Sequence, residues 1–166
     1  TFSFFFLSFL HAFIFSFILG AGINCPQGYY SNIEGLQECI SCPSGFKSKE
    51  LINSLTCVSC VSGSYSKSGQ GTCTKCPTGW FQSSDKTDFC LACISGKYQN
   101  EQGETSCFNC LANTYTSNDG DSSCRPCPKG QKSDPGSAIC VSCGVGEYIS
   151  KEAGSSCGAC PSGYYQ

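Results

Sequence analysis

The sequence predicts a small disulfide-rich fold: an elongated linear array of short β-hairpin cysteine-rich repeats, with little helix apart from an N-terminal apolar segment. Three observations predict it. Seventeen of the 166 residues are cysteine, and all lie after residue 24, a density that marks a disulfide scaffold. Those cysteines recur with a period near 17 residues. Only 19 of the 143 residues from Asn24 to Gln166 are Leu, Ile, Val or Phe. That is too few for one shared hydrophobic core to oppose chain entropy, so covalent staples must take its place.

Two regions divide the chain. Residues 1–22 are expected to be a signal peptide or signal anchor, and residues 23–166 the tandem repeats. Phe2 to Leu19 hold 14 apolar residues in 18 and no charge. Gly20 and Gly22 supply the small residues that signal peptidase needs before Ile23. The run falls between a secretory signal and the roughly 20 residues that span a bilayer. Either reading delivers the cysteines outside the cytosol. Position 1 is not Met, and a new unit opens at Cys160 but stops at Gln166; both ends read as truncated.

Internal periodicity organises the rest. Eight Cys-x-x-Cys pairs start at Cys39, Cys57, Cys73, Cys90, Cys107, Cys124, Cys140 and Cys157, and Cys25 precedes them alone. Counting from the second cysteine of each pair, position three is Gly28, Gly45, Gly63, Gly79, Gly96, Asn113, Gly130, Gly146 or Gly163. Glycine with one asparagine implies a turn with positive φ, since Asn tolerates that region best after Gly. Pro at position one in five units suits such a turn. Position five is aromatic in seven of nine units (Tyr30, Tyr65, Phe81, Tyr98, Tyr115, Tyr148, Tyr165), with Lys47 and Lys132 the exceptions. A second glycine lies four before the closing cysteine at Gly35, Gly69, Gly103, Gly120 and Gly136. Each unit therefore reads turn, short strand with an aromatic, turn, short strand, cysteine. The aromatic is expected to cover its own disulfide as a miniature core rather than to form a ligand platform. Each unit is expected to touch only its neighbours.

The same spacing fits a four-cysteine zinc ribbon. Zinc needs reduced thiolates, however, and the apolar leader points to an oxidising compartment. A redox-active Cys-x-x-Cys would need a thioredoxin-like scaffold, for which no helical periodicity exists. Disulfides are the reading adopted. Two pairings satisfy the parity. Local loops would join Cys25–Cys39, Cys42–Cys57, Cys60–Cys73, Cys76–Cys90, Cys93–Cys107, Cys110–Cys124, Cys127–Cys140 and Cys143–Cys157. An interlaced scheme would start Cys25–Cys42 and Cys39–Cys57. The local scheme is preferred because each bond closes one hairpin. A loop of this size contributes on the order of 3 kcal/mol in the chain-entropy model. Cys160 is left unpaired within the sequence, its partner expected beyond Gln166.

Chemistry that enzymes use is scarce. The single histidine, His11, sits in the leader, so the repeats have no imidazole for a base, a shuttle or a mixed metal site. Asn118-Asp119-Gly120-Asp121 resembles the start of a calcium loop but lacks its later glutamate, and reads as a solvated turn. Net charge is −2 with Lys and Arg scattered, which argues against nucleic acid. No enzyme activity, metal or cofactor is expected.

The pattern C-x-x-C-P-x-G-x-Y-S…G…C-x-x-C resembles the cysteine-rich repeats called ephrin type-A/B receptor-like. It is nearest at Cys25-Pro26-Gln27-Gly28-Tyr29-Tyr30-Ser31 and in Cys60 to Cys76. It is also similar to the first cysteine loop of tumour necrosis factor receptor modules and to cysteine-repeat surface antigens of ciliates and other protists. Lys132 departs from the pattern, as does the lack of Pro after Cys60, Cys93, Cys110 and Cys143. The resemblance implies an extracellular disulfide-rich array at the cell surface or in secretions. The role expected is structural: a stalk, surface coat or filament component. The alternative is a ligand-binding or adhesion ectodomain. Partners would be a protein or glycan at the cell surface, or further copies of the chain. Contact with membrane would come only through residues 1–22 or a part beyond the C-terminal end.

Overall fold

The computed structural model describes residues 24–32, 38–149 and 156–164. The expected leader at 1–22, Gly35 and Tyr165 lie outside these. Among the described residues the chain forms a series of eight two-stranded antiparallel hairpins and no helix. In order they pair β1 (Tyr29–Tyr30) with β2 (Ile40–Ser41), β3 (Phe46–Ser48) with β4 (Cys57–Ser59), and β5 (Ser64–Tyr65) with β6 (Thr74–Lys75). Then come β7 (Trp80–Phe81) with β8 (Leu91–Ala92), β9 (Lys97–Tyr98) with β10 (Phe108–Asn109), and β11 (Thr114–Tyr115) with β12 (Arg125–Pro126). The last two are β13 (Gln131–Lys132) with β14 (Val141–Ser142), and β15 (Glu147–Ile149) with β16 (Cys157–Ala159). The units are numbered 1 to 8 here by their cysteine loops, unit 1 being 25–39 and unit 8 being 143–157.

The return strand is not where the sequence placed it. It was expected before the closing cysteine, but in unit 4 the register pairs Phe81 with Leu91 and Trp80 with Ala92. The dipeptide inside Cys-x-x-Cys is therefore the strand, and residues 82–90 form the long loop of the hairpin. The reason lies in the disulfides. Cys90 bonds back to Cys76 and Cys93 forward to Cys107, so the two residues between them run straight from one unit into the next.

Each unit opens with a β-turn closed by an N–H donated from position four to the carbonyl of position one, as Trp80 donates to Pro77 at 3.1 Å. The third turn residue is the recurring glycine, at φ +82 for Gly79 and φ 62 for Asn113; positive φ there defines a type II turn. Val61, Ile94, Leu111 and Gly144 replace Pro at position one and accept the same bond from Ser64, Lys97, Thr114 and Glu147. Only the carbonyl is used, which explains why Pro is dispensable.

A lone two-stranded hairpin is marginal in water, and here backbone hydrogen bonds tie each of units 2 to 6 to the next in three ways; at the first junction Gly28 donates instead to Ser48 Oγ. The following opening cysteine donates to the turn glycine's carbonyl, as Cys93 does to Gly79 at 2.8 Å. That glycine donates to position six of the next unit, Gly79 to the Gln99 carbonyl at 2.7 Å. The second turn of the next unit donates back to the opening cysteine, Gly103 to the Cys76 carbonyl at 2.9 Å. Units 2 and 4 have Asn53 and Lys86 at this second-turn position, with φ 54 and 61, and both make the equivalent bond.

Contacts do not stop at the neighbour. A Cβ placed on Gly79 would lie 1.9 Å from the carbonyl oxygen of Gly120, two units on. The same holds for Gly28 against Gly69, Gly45 against Lys86, Gly63 against Gly103 and Gly96 against Gly136, at 1.9–2.2 Å. Side chains follow suit: Lys86 Nζ lies 5.9 Å from the centre of the Phe46 ring, again two units apart. The nearest-neighbour expectation is thus corrected. The turn glycine fills a gap into which both following units converge, so its small size matters as much as its φ.

This separates the two turn-glycine positions of the repeat by the space around them. Gly79→Asn is expected to cost at least about 3 kcal/mol, because the side chain must displace a backbone carbonyl. Gly120→Asn should cost about 1 kcal/mol or less, since its Cβ would meet nothing nearer than Trp80 at 3.5 Å and only left-handed strain applies. Unit-resolved hydrogen exchange of the oxidised protein measures both.

Candidate functional site

Eight disulfides join Cys25–Cys39, Cys42–Cys57, Cys60–Cys73, Cys76–Cys90, Cys93–Cys107, Cys110–Cys124, Cys127–Cys140 and Cys143–Cys157. These are the local loops, at sequence separations of 13–15, and not the interlaced scheme. Cys160 is a free, half-buried thiol. Opening cysteines Cys25, Cys42, Cys60, Cys76, Cys93 and Cys110 are at most 1% exposed, and they are the only buried residues of hydrophobic type among those described.

What packs beside the sulfurs is polar. Position six is Ser31, Ser48, Ser66, Gln82, Gln99, Thr116 and Ser133, all buried. Burying such groups is tolerated only when each is hydrogen-bonded, and these are bonded in two ways. The hydroxyls reach the preceding unit: Ser66 Oγ donates to the Phe46 carbonyl at 2.9 Å, Ser133 Oγ donates to Thr114, and Thr116 Oγ1 accepts from the Gly96 N–H at 2.9 Å. The longer glutamines brace their own loop instead. Gln99 Nε2 donates to the Ser106 carbonyl at 2.8 Å while its Oε1 accepts from the Glu101 N–H at 3.0 Å. Gln82 does the same with Phe89 and Ser84. Sequence reasoning missed this column. Its signal was available, a polar residue at position six in seven successive units, but polar side chains are ordinarily assigned to the surface.

The aromatics of position five go the other way. Tyr30, Tyr65, Phe81, Tyr98 and Tyr115 are half-buried and Tyr148 is exposed. None forms a closed miniature core, which corrects that expectation. Their partners across each hairpin are half-exposed as well, as in Tyr98 facing Phe108 with ring centres 5.9 Å apart. Surface character therefore resides at positions four and five and in the residues just before and after the closing cysteine.

Two open clefts lie along this surface. One, of about 290 Å³, is lined by Tyr65, Lys67, Pro77, Trp80, Asp88, Phe89 and Cys90 at the junction of units 3 and 4. Lys67 and Asp88 form an exposed ion pair there at 3.8 Å. The other, of about 450 Å³, is lined by Asn113, Pro126 to Gln131 and Ile149. The calcium-loop-like stretch is a brace: Asp119 Oδ1 accepts from the Ser95 N–H at 2.7 Å, and Gly120 donates to the Cys93 carbonyl. Asp85 holds Ser62 in the same way one repeat pair earlier. Among the described residues no three His, Cys, Asp or Glu side chains gather as a metal site, and no helix is long and apolar enough to cross a membrane.

The geometry thus defines a class: tandem hairpin modules, each stapled by its own disulfide and joined through backbone hydrogen bonds. The family model described as tyrosine-protein kinase ephrin type A/B receptor-like matches residues 63–106, 81–120 and 96–138. Those three overlapping windows run from unit 3 into unit 7, and residues 63–138 are accordingly ephrin-receptor-like cysteine-rich repeats. No curated protein matches the chain.

Two expectations follow. Gln99→Leu keeps volume but leaves the Ser106 carbonyl and Glu101 N–H unpaired, at about 1–3 kcal/mol for each group that stays buried; Thr116→Val should cost less, because the Gly96 N–H retains the Thr116 carbonyl. Replacing both Cys76 and Cys90 by Ser should loosen units 2 through 6, the reach of the two-unit contacts, and leave unit 1 protected. Hydrogen exchange that falls only in unit 4, or throughout the chain, would contradict that reach.

Proposed function

We propose that this chain is the extracellular repeat region of a surface protein, acting as a stalk, coat or filament component that spaces or presents other parts. In this reading residues 1–22 are the leader or anchor that delivers it, and residues 23–166 the repeat array. One observation carries the proposal. Every stabilising feature, from disulfide to buried polar column, is repeated and internal, so the fold can be lengthened unit by unit without new chemistry. The dense disulfides favour an oxidising, extracellular setting. The ephrin-receptor-like match adds support for that setting, and it also favours a second reading, a ligand-binding or adhesion ectodomain.

The two readings differ in how they respond to deletion. The chain, with its leader and a C-terminal tag, is expressed in a eukaryotic secretory host. It is expected on the outer surface or in the medium, with eight disulfides by intact mass. Removing residues 93–126 deletes two whole units and joins Cys90-Leu91-Ala92 to Cys127, which keeps the Cys-x-x-Cys spacing. A spacer should still be delivered and folded, with the same outcome when 60–92, units 3 and 4, is removed instead. A binding ectodomain should lose recognition of cells on removal of one pair and keep it on removal of the other. Retention of reduced chain in the cytosol would overturn both readings.

A further inference from the structure

The cleft between units 3 and 4 is not something the repeat requires. At the next junction the positions equivalent to Tyr65, Lys67, Trp80, Asp88 and Phe89 are Phe81, Ser83, Lys97, Thr105 and Ser106. The hydrogen bonds that build the interface are the same at both junctions, with Gly63 to Gln82 and Gly79 to Gln99 both at 2.7 Å. The folding of the array therefore gives no reason for an aromatic trio at this one place. Yet it is here that the chain puts its single tryptophan, and leaves Trp80 39% and Phe89 52% exposed. Exposed aromatics grouped in a concavity are a recognition feature more than a packing one.

The lining points to the ligand's chemistry. Tyr65, Trp80 and Phe89 offer apolar ring surface, while Lys67 and Asp88 place a donor and an acceptor 3.8 Å apart at the edge. Because these charges neutralise each other, the site has no net attraction for an anionic or cationic chain. It suits a neutral molecule with one apolar face and several hydroxyls, which can donate to Asp88 and accept from Lys67. At about 290 Å³ it lies at the lower end of ligand sites, which run roughly 300–1,000 Å³, so it takes a ring or two and not a folded partner. A proline-rich peptide would need an aromatic groove several residues long, and the aromatic lining ends within this junction.

We propose that this cleft binds a neutral saccharide, with the apolar face of one pyranose ring on Trp80 and its hydroxyls between Asp88 and Lys67. The proposal goes beyond the structural role above and holds whether the array is a spacer or an ectodomain.

Trp80 is the only tryptophan, so its fluorescence reports this site alone. The oxidised full chain is titrated with the methyl glycosides of glucose, galactose, mannose and N-acetylglucosamine. At least one is expected to shift or quench the emission saturably, with a Kd of ~1–10 mM, as befits an open cleft. Asp88→Asn and Phe89→Ala should each raise that Kd at least about tenfold. Both replace exposed side chains, and unit-resolved hydrogen exchange equal to the parent's verifies that they fold. Tyr98→Ala, in the next unit, should leave the Kd unchanged. No saturable response to any of the four glycosides up to ~100 mM overturns the proposal. So does a response that survives intact in both site variants, or one given only by a proline-rich peptide.

Discussion

Where the opening turn of one unit meets the second turn of the unit two places on, a glycine α-carbon stands against a backbone carbonyl with no room for a side chain between them. Much of the architecture follows from that approach. The same glycine sends its N–H to the next unit and receives the next opening cysteine on its carbonyl. One residue therefore joins three consecutive units, and its backbone must be left-handed to aim both polar groups outward. The stretch between the two turns varies by a residue or two between units, with disulfide separations of 13–15, and the approach is kept because the second turn holds its place four residues before the closing cysteine.

Because the interfaces are made of backbone, the side chains released from that duty are free for other uses. Inside, only small or well-bonded groups fit next to the opening cysteines, and Ser, Thr and Gln at position six meet that need by pairing with the preceding unit or with their own loop. A polar interior of this kind contributes little hydrophobic stabilisation. The disulfides, which limit the unfolded chain to closed loops, supply what burial does not. Outside, the aromatics and the residues around the closing cysteine line the hairpin faces and can vary without disturbing the ladder. The Trp80 cleft is one such local variation.

The family windows bear on the same point. Each of the three matched segments runs over more than two units, which is the span over which turn glycine, position six and second turn must agree. A single cysteine loop carries too little of that agreement to be recognised or, on physical grounds, to stand alone.

The sequence by itself determined the repeat, the positive φ at the recurring glycine and the preference for local disulfide loops. All of these are short-range: a period, a residue type that tolerates a left-handed backbone, and a parity of cysteines. It misplaced the return strand, since nothing in a Cys-x-x-Cys dipeptide shows that its two middle residues pair with Trp80 and Phe81. It assigned the core to the aromatics, because hydrophobicity is read from residue type, whereas burial at Gln99 or Thr116 depends on which carbonyl or N–H lies within reach. It likewise placed a turn at Gly79 and a second at Gly120 without showing which of the two has room for a side chain. Only the tertiary structure separated them, because the difference is the distance between atoms about 40 residues apart along the chain, set by how two hairpins stack over a third.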